Sequence, residues 1–203
     1  MRTMMVMAAA LSLTVCAGVA EGAEAPRVVL DTDAGRMVLV LDLEQAPLSV
    51  CNFLGYVTDG DYAGGSFFRT VVRETNANPN PIDVIQAATP RGSDDGRRPP
   101  IPLERTRDTG LSHVAGTVSM ARAGPDTATS SFFIVTRDTP SLDFGGGRNP
   151  DGQGFAAFGR LVEGLDVARR IQRSPADDKE QLTPPVVIRA ATVIGAVPAT
   201  CRP

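Results

Sequence analysis

A chain of 203 residues, 42% apolar and 21% charged, is long enough to bury a full core in one domain and has ordinary globular usage. Its net charge of −3, with no run of like charges, excludes the basic face that nucleic acid requires. The only histidine, His113, rules out a multi-histidine metal centre and has no nucleophile motif beside it, so a structural role is expected of it.

Arg2 precedes an apolar run from Met4 to Val19 that ends in small residues, which reads as a secretory signal over residues 1–20. The run is short for a spanning helix, which needs about 20 apolar residues, so no membrane span is expected. Leu13-Thr14-Val15-Cys16 resembles a lipoprotein box but departs from it at Val15, where a small residue is usual. A periplasmic or secreted location follows. Without Cys16, Cys51 and Cys201 remain, and both a disulfide and two free thiols stay open.

The folded domain is placed at residues 27–195, with a tail at 196–203. Val28 to Thr32 and Arg36 to Asp42 read as strands flanking an Asp33-Ala34-Gly35 turn. Pro47 opens a helix whose face is Val50, Phe53, Leu54 and Val57, and Gly60 ends it. Further strands are placed at 67–72, 84–88, 117–121, 132–136, 156–162 and 186–194. A second helix runs from Leu165 to Gln172, with Leu165, Ala168 and Ile171 on one face. With 20 Gly and 16 Pro, this pattern of strands and turns predicts a mainly β chain, closed as an antiparallel barrel.

Two loops stand apart. Glu74 to Pro81 is rich in Asn and Pro. Gly145 to Gly154 lacks the Gly-Lys-Ser/Thr ending of a phosphate loop and the alternating acids of a calcium loop, so it reads as a mobile surface loop. Phe67-Phe68-Arg69 and Phe132-Phe133 put phenylalanines beside polar anchors, which suggests an apolar pocket with one fixed cation. An uncharged, apolar substrate would suit it, such as a proline within a peptide.

Several motifs, in order, carry a resemblance. They are Ala46 to Phe53, Gly65-Ser66-Phe67-Phe68-Arg69, Val84-Ile85-Gln86-Ala87-Ala88, Gly116 to Ala123, Ser130 to Ile134, and Phe155 to Gly164. Together the chain resembles the cyclophilin-type peptidyl-prolyl cis-trans isomerases over residues 27–194. The resemblance implies an eight-stranded closed antiparallel barrel capped by two α-helices, with a substrate groove on one outer face. It implies a monomer of bacterial, exported type, needing no metal or cofactor and acting on proline-containing peptides and unfolded exported proteins.

By the same resemblance Arg69 would stabilise the twisted prolyl amide. Gln86 would hold the substrate carbonyl and orient the arginine, and Phe133 would floor the proline pocket. Val84, Met120 and Phe155 would line the pocket, Leu142 its rim, and Ala121 and Ala123 would leave room for extended substrate. The chain departs from the pattern at Phe68, Phe155, Ser141, Asp83, Ser131 and Arg122, so the pocket wall is remodelled. A proline-peptide-binding chaperone or adaptor with little turnover is the alternative; a hydrolase lacks a visible nucleophile and base.

Overall fold

The computed structural model describes residues 25–93 and 96–201; the expected signal at 1–20, Cys16 and the end of the tail lie outside the described residues. β1 (Arg27–Thr32) and β2 (Gly35–Leu41) form the expected hairpin. α1 (Pro47–Thr58), β3 (Ser66–Val71), β4 (Val84–Ala88), a single helical turn α2 (Thr106–Thr109), β5 (Thr117–Met120) and β6 (Phe132–Val135) follow. β7 (Ala156–Glu163), α3 (Leu165–Gln172) and β8 (Gln181–Ile194) complete the domain. The strands close into an antiparallel barrel in the order β1-β2-β7-β5-β6-β4-β3-β8.

Alternation along each strand sends one set of side chains inward: Leu30, Leu39, Phe67, Ile85, Phe132, Ile134, Phe158 and Ile188 meet in the main core. α1 lays its predicted face, Val50, Phe53, Leu54 and Val57, against that core. The Phe53 ring lies 5.2 Å from those of Phe132 and Phe158 and 5.4 Å from Tyr62. No side chain of its own caps α1. Instead the Glu104 carboxylate accepts hydrogen bonds from Leu48 N (2.9 Å) and Ser49 N (2.8 Å), satisfying donors the helix cannot.

α3 buries Val167, Ala168 and Ile171, while Leu165, expected on that face, is only half-buried at the first turn. β8 begins at Gln181 rather than Val186. Its prolines at 184 and 185 are tolerated because the β3–β8 ladder is interrupted there, with pairing at Arg69↔Gln181 resuming at Phe67↔Val186. Cys51 on α1 and Cys201 in the tail are joined by a disulfide, so the pairing left open in the sequence is settled. Among the described residues no helix is long and apolar enough to cross a membrane.

Candidate active site

The site begins with a bulge. Along β3, Phe67 pairs with Ala87 and points into the core, but Arg69, two residues on, pairs with Gln86; Phe68 is the extra residue between them. Strict alternation would return Arg69 to the interior. The bulge re-aims it to the outer face, where Gln86 also points. Gln86 in turn stands opposite Phe133 on β6. Arg69, Gln86 and Phe133 therefore form one row across three strands, spanning about 10 Å of backbone at ordinary strand spacing.

Phe133 centres a second apolar cluster, separate from the barrel core, with Val71, Ile82, Val84, Val135 and Leu142. Phe155 meets the Phe133 ring edge-on at 5.3 Å, and Ala121 packs against the cluster, partly buried. Leu142, expected along the rim, is fully buried within the cluster. Ala123 is exposed beyond it. Met120 is a correction. It pairs with Phe132 and packs in the barrel core, because alternation from Val118 turns both inward and leaves Ser119 on the outer side. Val71 and Val135 were missed, though the period of two from Arg69 and Phe133 reaches both.

Arg69 is not a free cation. Its Nε and Nη2 donate to Glu180 Oε2 at 3.1 and 2.5 Å, and its Nη1 donates to Gln86 Oε1 at 3.2 Å. Gln86 Nε2 donates to Ser131 Oγ at 3.0 Å, and that hydroxyl donates to Ala87 O at 2.9 Å. The other Glu180 oxygen accepts from Asn76 Nδ2 at 2.6 Å, and Asn76 Oδ1 accepts from Arg148 Nη1 at 2.8 Å. Burial first, and then the nearby Arg69 charge, lower the Arg148 pKa from its ordinary value, opposed by Glu180. Glu180 lies 111 residues from Arg69 and carries no local sequence signal.

Two of the departures, Asp83 and Arg122, are explained by ion pairs. Asp83 does not line the cluster; its buried carboxylate accepts from Arg73 Nε and Gln172 Nε2, tying β4 to α3. Arg122 donates twice to Asp151, at 2.7 and 2.9 Å, and lies over the Phe155 ring at 5.1 Å. It also donates to Gly154 O, so it clamps the glycine run beside the Phe133 cluster. That run folds back onto residues 140–144. A Cβ at Gly146 would fall 2.3 Å from Pro140 O, and one at Gly154 2.6 Å from the Asp143 backbone, so both positions need glycine.

His113 sits under the row. Its Nδ1 lies 2.7 Å from Asp143 Oδ1 and its Nε2 2.9 Å from Ser119 Oγ, while its ring stacks on Phe133 at 6.0 Å. The order Asp–His–Ser is that of a hydrolase triad, which the sequence did not reveal. Ser119 has no exposed surface and His113 is 1% exposed, so no substrate reaches the hydroxyl. A cavity of about 1340 Å³ lies elsewhere, between Arg27, Leu41, Arg160 and Ile194, and none of the row lines it.

The sequence matches the family described as "Cyclophilin type peptidyl-prolyl cis-trans isomerase/CLD" over residues 27–193. It is 33% identical over 189 residues to "Peptidyl-prolyl cis-trans isomerase A" of Dickeya dadantii, covering 91% of this chain and 93% of that protein. A peptidyl-prolyl cis-trans isomerase of Streptomyces antibioticus is 36% identical over 177 residues, covering 83% and 98%. The fold is similar to a crystal structure of a Cryptosporidium parvum cyclophilin-type isomerase, with a TM-score of 0.68 at 21% identity, covering 85% and 99%. A second structure of that protein, obtained in the presence of the dipeptide Ala-Pro, gives a TM-score of 0.67 over 84% and 99%. The chain belongs to the cyclophilin-type peptidyl-prolyl cis-trans isomerases, a family of enzymes.

Proposed function

We propose that this protein turns X–Pro bonds of exported polypeptides between cis and trans, with Arg69 stabilising the twisted amide above a pocket floored by Phe133. The observation that carries the reading is the row itself: a guanidinium and an amide in register with a buried apolar cluster on one outer face. Rotation about the amide must overcome a resonance barrier of roughly 18–20 kcal/mol. At the barrier top the prolyl nitrogen regains a lone pair that neither planar isomer offers. A donor aimed there binds the transition state more tightly than the ground states. The apolar cluster takes the proline ring, and Gln86 takes the substrate carbonyl.

Arg69→Ala tests this. A charge-assisted hydrogen bond is worth about 1.5–3 kcal/mol, so kcat/KM on a proline peptide is expected to fall about 10- to 150-fold. A wild-type rate in Arg69→Ala sinks the proposed role of Arg69. The second reading, a chaperone or adaptor that binds proline peptides without turnover, draws support from Glu180, whose carboxylate already occupies Arg69. It is the right one if the wild type binds the peptide yet leaves its isomerisation at the uncatalysed rate.

The signal-like segment and the Cys51–Cys201 disulfide together support an oxidising compartment, the periplasm or outside the cell. Its clients there are newly exported chains delayed by slow X–Pro bonds. Cell fractionation with N-terminal sequencing of the mature protein tests the location; an uncleaved cytoplasmic protein refutes it.

A further inference from the structure

The loops at 74–81 and 145–154 are absent from the proposed chemistry, yet both converge on its central residue. Three alternating asparagines organise the first: Asn76 Oδ1 accepts from Asn78 N at 3.3 Å, and Asn78 Oδ1 accepts from Asn80 N at 2.8 Å. The second loop reaches it from outside. Arg148 Nη1 donates to Asn76 Oδ1 at 2.8 Å and to Asn80 O at 3.2 Å, and Asn80 Nδ2 donates to Gly147 O at 2.9 Å. The chain of bonds ends on Glu180, through Asn76, and from Glu180 on Arg69.

We infer that Glu180 is a positioning residue for the isomerisation: it fixes the Arg69 guanidinium over the apolar cluster, and Asn76 and Arg148 fix Glu180. This rests on the reading that Arg69 acts at the prolyl nitrogen. A long arginine side chain loses rotamer freedom when it meets a substrate. Here the loss is already taken. Glu180 holds Nε and Nη2 on one side, and Gln86 holds Nη1 on the other, which sets the plane of the fork. Of the five guanidinium N–H groups, one on Nη1 and one on Nη2 remain for substrate. A carboxylate this close also weakens the field of Arg69. Arg148 offsets that, leaving the three charged groups with a net positive charge.

The backbone supplies an independent observation. Glu180 has φ 66, the left-handed region that disfavours side chains and suits glycine. Its conformation is held by Glu180 N donating to Asp177 O and by Thr70 N donating to Glu180 O. Glycine would meet both bonds without strain, so a glutamate here is explained by what its carboxylate does.

The experiment uses the whole mature protein and a proline peptide. It compares kcat/KM, peptide affinity by NMR titration, and Tm for wild type, Glu180→Gly, Glu180→Gln, Arg69→Ala and the Glu180→Gly/Arg69→Ala double variant. Glu180→Gly is expected to lower kcat/KM about tenfold, with affinity within about twofold of wild type and Tm unchanged or raised, because the strain is relieved. Glu180→Gln keeps an acceptor for the guanidinium and should recover to within about threefold of wild type. In the Arg69→Ala background, Glu180→Gly should change nothing further. A wild-type rate in Glu180→Gly, or an equal further loss without Arg69, overturns the inference while leaving the role of Arg69 intact. A wild-type rate in Arg69→Ala overturns that role instead.

Discussion

Replacing Cys51 and Cys201 by serine removes a bond that closes a loop across 150 residues of sequence. In the chain-entropy account, a loop of that length restricts the unfolded ensemble by about 17 cal/mol/K, or about 5 kcal/mol at about 25 °C. The folded state recovers some of this. The tail beyond β8 is held by a 3-10 turn, Ala199–Cys201, with no buried residue, so it can fray once the bond is gone. A docking energy of about 1 kcal/mol for such an exposed turn would offset the loss by a similar amount. The net expectation is about 4 kcal/mol, a Tm lower by about 8–16 °C for a domain of this size. Calorimetry of the double variant, and of the wild type with and without reductant, reads it directly. Isomerase activity below the melt should be unchanged, since the bond joins α1 to the tail and the row lies on β3, β4 and β6. A Tm drop under about 3 °C would refute the reasoning, because it would mean that the unfolded chain is scarcely restricted by the crosslink.

Phe133→Leu keeps the floor apolar but loses the stacked His113 face and the Phe155 edge; KM for a proline peptide should rise about tenfold while stability falls by less than about 1.5 kcal/mol. Arg122→Ala removes the clamp on the glycine run, and a Tm lower by about 4–8 °C is expected from the loss of roughly 2 kcal/mol of charge-assisted bonding. The Arg122 hydrogen bonds, chiefly, hold the Asp151 pKa below its ordinary value of 3.8. A depressed carboxylate adds stability above its unfolded pKa and loses it as pH falls through the folded one, so the clamp should persist at pH 3.8 and release only below it, as an NMR titration of Asp151 would show.

The parts legible in the sequence were those fixed by local periodicity. α1 shows its buried face at Val50, Phe53, Leu54 and Val57, and α3 has the predicted bounds, because helical spacing is written in neighbouring residues. The closed barrel came from the pattern of short strands and tight turns, and the likeness of Arg69, Gln86 and Phe133 to a known site from motif order. What no motif could give is how Arg69 reaches the outer face: that depends on a bulge at Phe68, and a one-residue slip inverts every side chain after it. Met120 was misplaced for the related reason that its alternation must be counted from Val118 and not from the motif around it. Glu180 was invisible because its contact with Arg69 spans the whole length between β3 and β8, and its left-handed backbone would have predicted glycine.

The Asp143–His113–Ser119 series, buried at His113 and Ser119, sharpens what distinguishes this site. By distances alone it is the better hydrolase than the row is an isomerase, with its histidine within hydrogen-bond reach of both partners. Chemistry at a hydroxyl needs the reacting carbon to come within about 3–3.5 Å of it. The Ser119 hydroxyl is sealed from solvent and Ser119 stands directly opposite Phe133, so the same ring that is proposed to receive proline occupies the face a substrate would need. The imidazole is held between the Asp143 carboxylate and the Ser119 hydroxyl, with its plane 19° from that of the Phe133 ring. The series is thus a support beneath the Phe133 ring. Isomerisation requires only that a twisted amide be bound better than a planar one, and a floor that does not yield serves that requirement directly.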